Sequence, residues 1–557
     1  MSSGSSADTD IARLVRGVLW PGFLGRDAPE WLLRELDGGL AGVVYFGQNI
    51  SPDPADVVAL STTLHAHRPE ILIGIDEEGG NVSRLEALTG STLPGHAQLG
   101  ALDDIATTRA VGAALAERLR AAGANVALAP VADVNTNPAN PVIGVRSFGP
   151  TSALVARHTA ALIDGLQAGG VAACVKHYPG HGDTASDSHL DLPRIDLDLA
   201  EIEREHLPPF TAAIEAGVAS VMTAHIVVPA FGDAPATLNP VPLRRLRESG
   251  FDGVIISDAL DMAAIRSTTG SGRGAVLALE AGVDLLCIGN PSNLGPKQGA
   301  TTDEDDYLEV FDAICAAIAD GSLDRSIVER AAARVATLAA SVAPFAPTPA
   351  PAAEPSPVTE LFEVRDDFAA AIRKVVRVRG DVELPAERLT LVELRDRPTF
   401  AVASALDPFA EALAAHYEVT RVAAGAVVHA AASAPTPAPD PTQPPEPVEV
   451  PTNALAALIE AIPADHAVVL LADRLGDGTP QRLAVETIAR FRAEAVVVGV
   501  GLPLADDVAL PLPFIDCLAA SRASADRVTE LLCTTAPAAV PSLHAHHQHD
   551  QHQRNGS

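Results

Sequence analysis

The sequence predicts an α/β protein: an (α/β)8 TIM-type barrel followed by a smaller α/β sandwich domain. Three observations lead there. From about residue 10 to 342, short and nearly continuous apolar runs alternate with longer helical patterns, as in a parallel sheet covered on both faces. Nearly every polar oddity of that stretch falls at or just after the end of an apolar run, and a barrel gathers those ends on one face. The chain has 557 residues, more than one hydrophobic core organises.

Taken in order, an eighth strand is sought in Leu14–Trp20, and seven clear ones follow. These are Gly42–Phe46, Ile71–Asp76, Val126–Val134, Val171–Lys176, Ser220–His225, Gly253–Asp258 and Asp284–Gly289. Helical patterns fill Asp103–Ala122, Ser152–Ala168, Leu199–Ala216 and Asp303–Ala319. Gly270-Ser271-Gly272-Arg273-Gly274 lacks the strand-to-helix setting of a dinucleotide fingerprint and reads as a loop. A doubly wound open sheet is the structural alternative. The barrel is assigned to residues 1–342 and a Pro/Ala linker to 343–357. A second α/β domain spans 358–540, with a helix at Val358–Val375. Its strands are Leu389–Glu393, Thr399–Ser404, Glu418–Val422, Ala467–Ala472 and Ala495–Val500. Ser433–Pro451 is Pro-rich and acidic, as disordered segments are. A His-rich tail, 541–557, reads as solvated rather than metal-binding.

Composition narrows the function. Apolar residues make up 47%, ordinary for a globular chain. A formal charge of −32 repels nucleic acid and anionic membrane, so neither is an expected partner. Five widely spaced cysteines, Cys174, Cys287, Cys315, Cys517 and Cys533, read as buried free thiols of a reducing compartment. No basic, apolar leader opens the chain, and no apolar run nears the roughly 18–20 residues that span a bilayer. The simplest address is the cytoplasm.

Chemistry concentrates in Lys176–Pro193, KHYPGHGDTASDSHLDLP, which follows a buried strand and carries three histidines and three aspartates. Asp187 stands two residues before His189, so in extended chain both project to one side. The carboxylate can then fix the imidazole tautomer and raise its basicity, as a general acid–base needs. Asp258 ends an apolar strand inside the barrel mouth. Two readings of it stand: nucleophile or general base, and helix N-cap. Asp261 is expected to face the following helix. His177, His181, Asp183, Asp187 and His189 have the chemistry of metal ligands, but no His-Glu-x-x-His or Cys-x-x-Cys pattern accompanies them. Lys176 would also set a positive charge beside a cation, so no metal is expected.

These residues resemble glycoside hydrolase family 3, in particular its β-N-acetylglucosaminidases. The resemblance is carried by IDEEGGNVSR (75–84), APVADVN (129–135), PVIGVRSFG (141–149), the Lys176–Pro193 segment and the Asp258 strand. It implies a retaining double displacement without cofactor or metal. Asp258 corresponds to the nucleophile, and His189, oriented by Asp187, to the acid/base. Asp76, Arg84, Arg146, Lys176 and His177 correspond to residues that hold the sugar hydroxyls and acetamido group. Glu77 departs from many relatives, which have Gln there. The expected partner is a small carbohydrate, from cell-wall recycling or from chitin. Inorganic phosphate is a possible acceptor, since a neutral imidazole does not repel it as a carboxylate would. A broad β-glucosidase, a metal-dependent hydrolase and a sugar-binding module without catalysis are the competing readings.

Overall fold

A computed structural model describes residues 6–185, 192–294, 303–342, 344–345, 361–395, 408–429, 455, 457, 459–505 and 507–533. The linker apart from 344–345, Thr399–Ser404, Ser433–Pro451, the tail, and both Asp187 and His189 lie outside them.

The first part of the chain is α/β with a curled parallel sheet. In chain order its strands are β1 (Leu19–Pro21), β2 (Gly42–Tyr45), β3 (Leu72–Ile75), β4 (Glu77–Gly79), β5 (Val82–Ser83), β6 (Val126–Ala127), β7 (Ala172–Tyr178), β8 (Ser220–Thr223), β9 (Val254–Ile256) and β10 (Leu286–Gly289). Six pair in parallel in the order β2-β3-β6-β7-β8-β9, and β1 pairs in parallel with β10. A bridge between Ile256 and Leu285 joins β9 to the start of β10, and Ala41 N–H donates to Arg16 O beside the start of β2. β4 and β5 form a small antiparallel hairpin that rises from the end of β3.

The core explains the curl. One buried cluster takes a side chain from each of eight strands: Trp20, Val44, Leu72, Val126, Cys174, Met222, Ile256 and Cys287. Alternate residues of a strand point to opposite faces, so these fill the concave side. Trp20 lies across β3, its indole N–H donating to Leu72 O at 2.9 Å. Gly74 makes room for it, because a Cβ there would stand 2.2 Å from the ring. The helices outside carry their own start signals: Asp53, Asp104, Asn239 and Asp324 each cap a helix N-terminus by accepting a backbone N–H. Among the described residues, no helix is long and apolar enough to cross a membrane.

Four expectations are corrected in detail. Leu14 belongs to the helix Ser6–Arg16, and the strand sought there begins only at Leu19. The segment Val126–Val134 is regular over Val126–Ala127 alone, since Pro130 has no N–H for a ladder. Leu199–Ala216 is not one helix: a turn of π-helix, Ile202–His206, precedes a helix Pro208–Glu215, because Pro208 and Pro209 cannot continue the ladder. The stretch Gly270–Gly274 opens the helix Ser271–Ala281. Its glycines serve packing there, as a Cβ at Gly272 would lie 2.9 Å from Ala313 Cβ on the helix Asp303–Asp320.

The later part holds β11 (Arg377–Arg379), β12 (Arg388–Glu393), β13 (Glu418–Ala423), β14 (Ala467–Ala472), β15 (Val496–Gly499) and β16 (Phe514–Asp516). They form one sheet in the order β11-β16-β15-β14-β12-β13, parallel except for β11. It has cores on both faces. It touches the first part beside the β4–β5 hairpin. Ala520 N–H donates to Asn81 Oδ1 at 2.6 Å, and Gln98 Nε2 donates to Cys517 O and Ser524 Oγ.

Candidate active site

The site is assembled where the parallel strands end. Asp76 follows β3, and its half-buried carboxylate accepts from Lys176 Nζ at 2.8 Å and from Arg84 at 3.3 Å. Lys176, on β7, is only 2% exposed and also meets Glu78 Oε1 at 2.7 Å. Glu78 in turn takes a two-pronged contact from Arg146, at 3.0 and 2.7 Å. Two carboxylates thus hold three cations in one buried network, and the paired geometry is what keeps such charges tolerable away from water.

The electrostatics follow. Burial pushes the Asp76 carboxyl up, but Lys176 and Arg84 outweigh it and hold it at about 2. Burial likewise acts against the charged form of Glu78, and Arg146 and Lys176 hold that carboxyl well below the usual range. Burial works against the Lys176 ammonium, yet Asp76 and Glu78 raise it. All of these groups stay charged at neutral pH.

A second cluster is a histidine–carboxylate pair. His177 Nδ1 lies 2.7 Å from Asp133 Oδ2, and Asp133 Oδ1 accepts the backbone N–H groups of His177 and His181. Asp133 is fully buried, so it fixes the ring through Nδ1 and leaves Nε2 as the nitrogen for other work. Burial tends to raise Asp133, but His177 lowers it below the carboxylate norm. His181 is buried with Nδ1 on Thr184 Oγ1, and burial drives it down to about 4, the neutral imidazole.

Asp258 follows β9 and is half-buried. Its Oδ1 accepts the N–H of Ala259 at 2.8 Å, and its own N–H faces Thr223 Oγ1 at 3.4 Å. His225 Nε2 donates to Ala259 O at 2.9 Å, so the turn that bears Asp258 is held from β8 as well. Burial first, and the charges of Asp76 and Asp258 after it, push up the buried thiols of Cys174 and Cys287. Asp261, expected to face the next helix, instead packs over Gly289, where a Cβ would lie 1.8 Å from its Oδ1.

Of the residues singled out from the sequence, Asp76, Arg84, Arg146 and Lys176 share one network, and His177 and Asp258 flank it. Asp187 and His189 lie outside the described residues. Glu78 and Asp133 carry no role of their own in the sequence reading, standing only within the segments 75–84 and 129–135, and the structure makes them the hubs of the two clusters. Among the described residues, no three His, Cys, Asp or Glu side chains group so as to hold a metal ion.

Comparison with known proteins gives one consistent answer. The sequence profile described as the glycosyl hydrolase family 3 N terminal domain matches residues 24–338. A beta-hexosaminidase of Neisseria meningitidis serogroup C (strain 053442) is 38% identical over 47% of this chain and 74% of its own length. Beta-hexosaminidase A of Pseudoalteromonas piscicida is 34% identical over 45% of this chain, so the match spans less than half, 46%, of that protein's own length. Among solved structures, a family 3 beta-N-acetylglucosaminidase from Paenibacillus sp. str. FPU-7 superposes with a TM-score of 0.74 and 29% identity, over 94% of this chain and 96% of that one.

Proposed function

The chain belongs to glycosyl hydrolase family 3, and on that premise we propose that it is a retaining β-N-acetylglucosaminidase acting on terminal, β-linked N-acetylglucosamine. We take the eight strands whose side chains share one interior cluster as a closed (α/β)8 barrel, with the later sheet as a second domain. One observation carries the functional reading. The half-buried carboxylate of Asp258 stands at the same strand ends as the Asp76–Lys176–Glu78–Arg146 network.

In this reading Asp76 accepts hydrogen bonds from adjacent sugar hydroxyls while Lys176 and Arg84 hold it charged and aimed. Arg146, held by Glu78, offers donors to the sugar oxygens, and Glu78 also sets where Lys176 points. His177, with its tautomer fixed by Asp133, presents Nε2 to the sugar. Asp258 attacks the anomeric carbon, forming a glycosyl ester as the bond to the leaving oxygen breaks. His189, paired with Asp187, gives that oxygen its proton. The neutral imidazole then takes a proton from the acceptor, which attacks the same carbon and releases Asp258.

The acceptor is water or inorganic phosphate. Three cations face two carboxylates in the network, and Asp258 loses its charge on becoming an ester. The pocket is therefore least hostile to a dianion at the moment an acceptor is needed. The test is turnover of aryl glycosides of N-acetylglucosamine and glucose, with and without phosphate, by wild type and Asp258→Ala. N-acetylglucosaminide cleavage that vanishes in the variant supports the assignment. A variant as active as wild type would overturn it. Free sugar as the only product, at a rate phosphate does not change, would remove phosphorolysis alone.

A further inference from the structure

At the opposite end of the curled sheet, below the starts of β1 and β2, lies a cavity of about 380 Å³. Arg13, Arg68 and Arg325 reach it, together with a single carboxylate, Asp10. Its floor is apolar, from Val335 and Ala339 among others. Arg325 is already answered, paired with Asp10 and with Glu329. Arg13 and Arg68 have no carboxylate at ion-pair distance among the described residues, and Arg68 Nε is buried without a partner.

Each arginine follows or ends a helix, Ser6–Arg16 or Pro54–His67. The carbonyls there favour a cation singly, but they do not neutralise a pair. Burial lowers the Arg68 guanidinium below its usual value, Glu70 works the other way, and the charge of Arg13 lowers it further. A guanidinium offers planar, forked donors that match phosphoryl oxygens better than any other side chain does. Two unanswered positive charges call for a dianion rather than a single carboxylate.

We propose that this cavity is a second ligand site, remote from the strand ends that carry Asp258, and that it binds a phosphoryl dianion between Arg13 and Arg68. The source is either inorganic phosphate or a small phosphomonoester whose body rests on the apolar floor.

The test is thermal melting of the full chain in phosphate, in glucose 6-phosphate, and in sodium chloride of matched ionic strength. Near one hundred times the dissociation constant, the bound dianion should raise the melting temperature by roughly 5–10 °C over the chloride control. A shift with phosphate names the free ion as sufficient, and a shift with the ester alone names the phosphomonoester. Asp258→Asn should keep the shift, which separates it from phosphate bound as an acceptor. Arg13→Gln/Arg68→Gln should lose it while turning over an aryl N-acetylglucosaminide at the wild-type rate. Arg13→Gln alone changes only the exposed rim, so it folds whatever the double variant does, and it should need roughly tenfold more ligand for the same shift. A double or single variant that responds as wild type does, or a wild type indifferent to both phosphates, would overturn the proposal.

Discussion

Replacing Glu78 by Gln should both loosen the protein and weaken its hold on substrate. Glu78 is 1% exposed and its carboxylate meets Lys176 at 2.7 Å and Arg146 at 3.0 and 2.7 Å. Glutamine keeps one acceptor oxygen but turns an amide toward a guanidinium. An oxygen at the Oε1 position still accepts from Lys176 and from Arg146 Nη2, and Lys176 retains the Asp76 carboxylate, whereas Arg146 loses its carboxylate partner and its Nε contact. Removing one partner of a buried ion pair costs about 3–5 kcal/mol. Because Lys176 is still answered, the low end applies, about 3 kcal/mol. At roughly 2–4 °C per kcal/mol for a domain of this size, melting should fall by roughly 6–12 °C. Lys176, no longer shared, shifts its whole charge to Asp76 and competes with the sugar for that carboxylate. The kcat/KM for an aryl N-acetylglucosaminide should drop about tenfold, chiefly through KM. Calorimetry and steady-state kinetics check both numbers. A variant melting within about 2 °C of wild type with unchanged KM would refute the claim that Glu78 organises the network.

Two further outcomes test neighbouring groups. Glu77 is fully buried, accepts the N–H groups of Arg84 and Leu85, and is pushed by burial and by Glu86 from the ordinary 4.5 up to about 7. The folded protein thus holds this proton more tightly than the unfolded chain, so Glu77 costs stability as pH rises from 4.5 to 7 and no more beyond. Glu77→Gln should gain on wild type by up to about 3 kcal/mol across that window, measured by urea unfolding against pH; parallel curves would exclude the titration. Asp133→Asn should release the His177 ring from its fixed tautomer and lower kcat/KM roughly tenfold or more, with the loss visible as a changed imidazole resonance for His177. Unchanged kinetics would show that the ring does not meet substrate.

Much of the fold is legible in the sequence because the strands are nearly continuous apolar runs that end in polar residues. Ile71–Asp76 and Gly253–Asp258 each place a site residue just past a strand end, where the structure has it, whereas β7 runs on through Tyr178 and holds Lys176 inside the strand. What stays hidden depends on partners far away in the chain. Glu78 and Asp133 are recognised as hubs only when Arg146 folds back over 68 residues and His177 over 44. Their signal was present: carboxylates at strand ends require cations or imidazoles once buried. Gly272 misleads for another reason. Glycine disfavours a helix locally, and only the close approach of the helix Asp303–Asp320 makes its missing Cβ useful. The break at Pro208 was readable from the residues themselves, and the apolar periodicity masked it.

The most direct measurement is to trap the glycosyl-enzyme. A fluorinated N-acetylglucosaminyl fluoride, which forms the ester quickly and loses it slowly, is incubated with the full chain, and the proteolytic peptides are weighed and sequenced. The expected result is one added sugar on the carboxylate of Asp258. A sugar on Asp261 or Asp133, or full turnover of the reagent without any adduct, would contradict the double displacement at its first step.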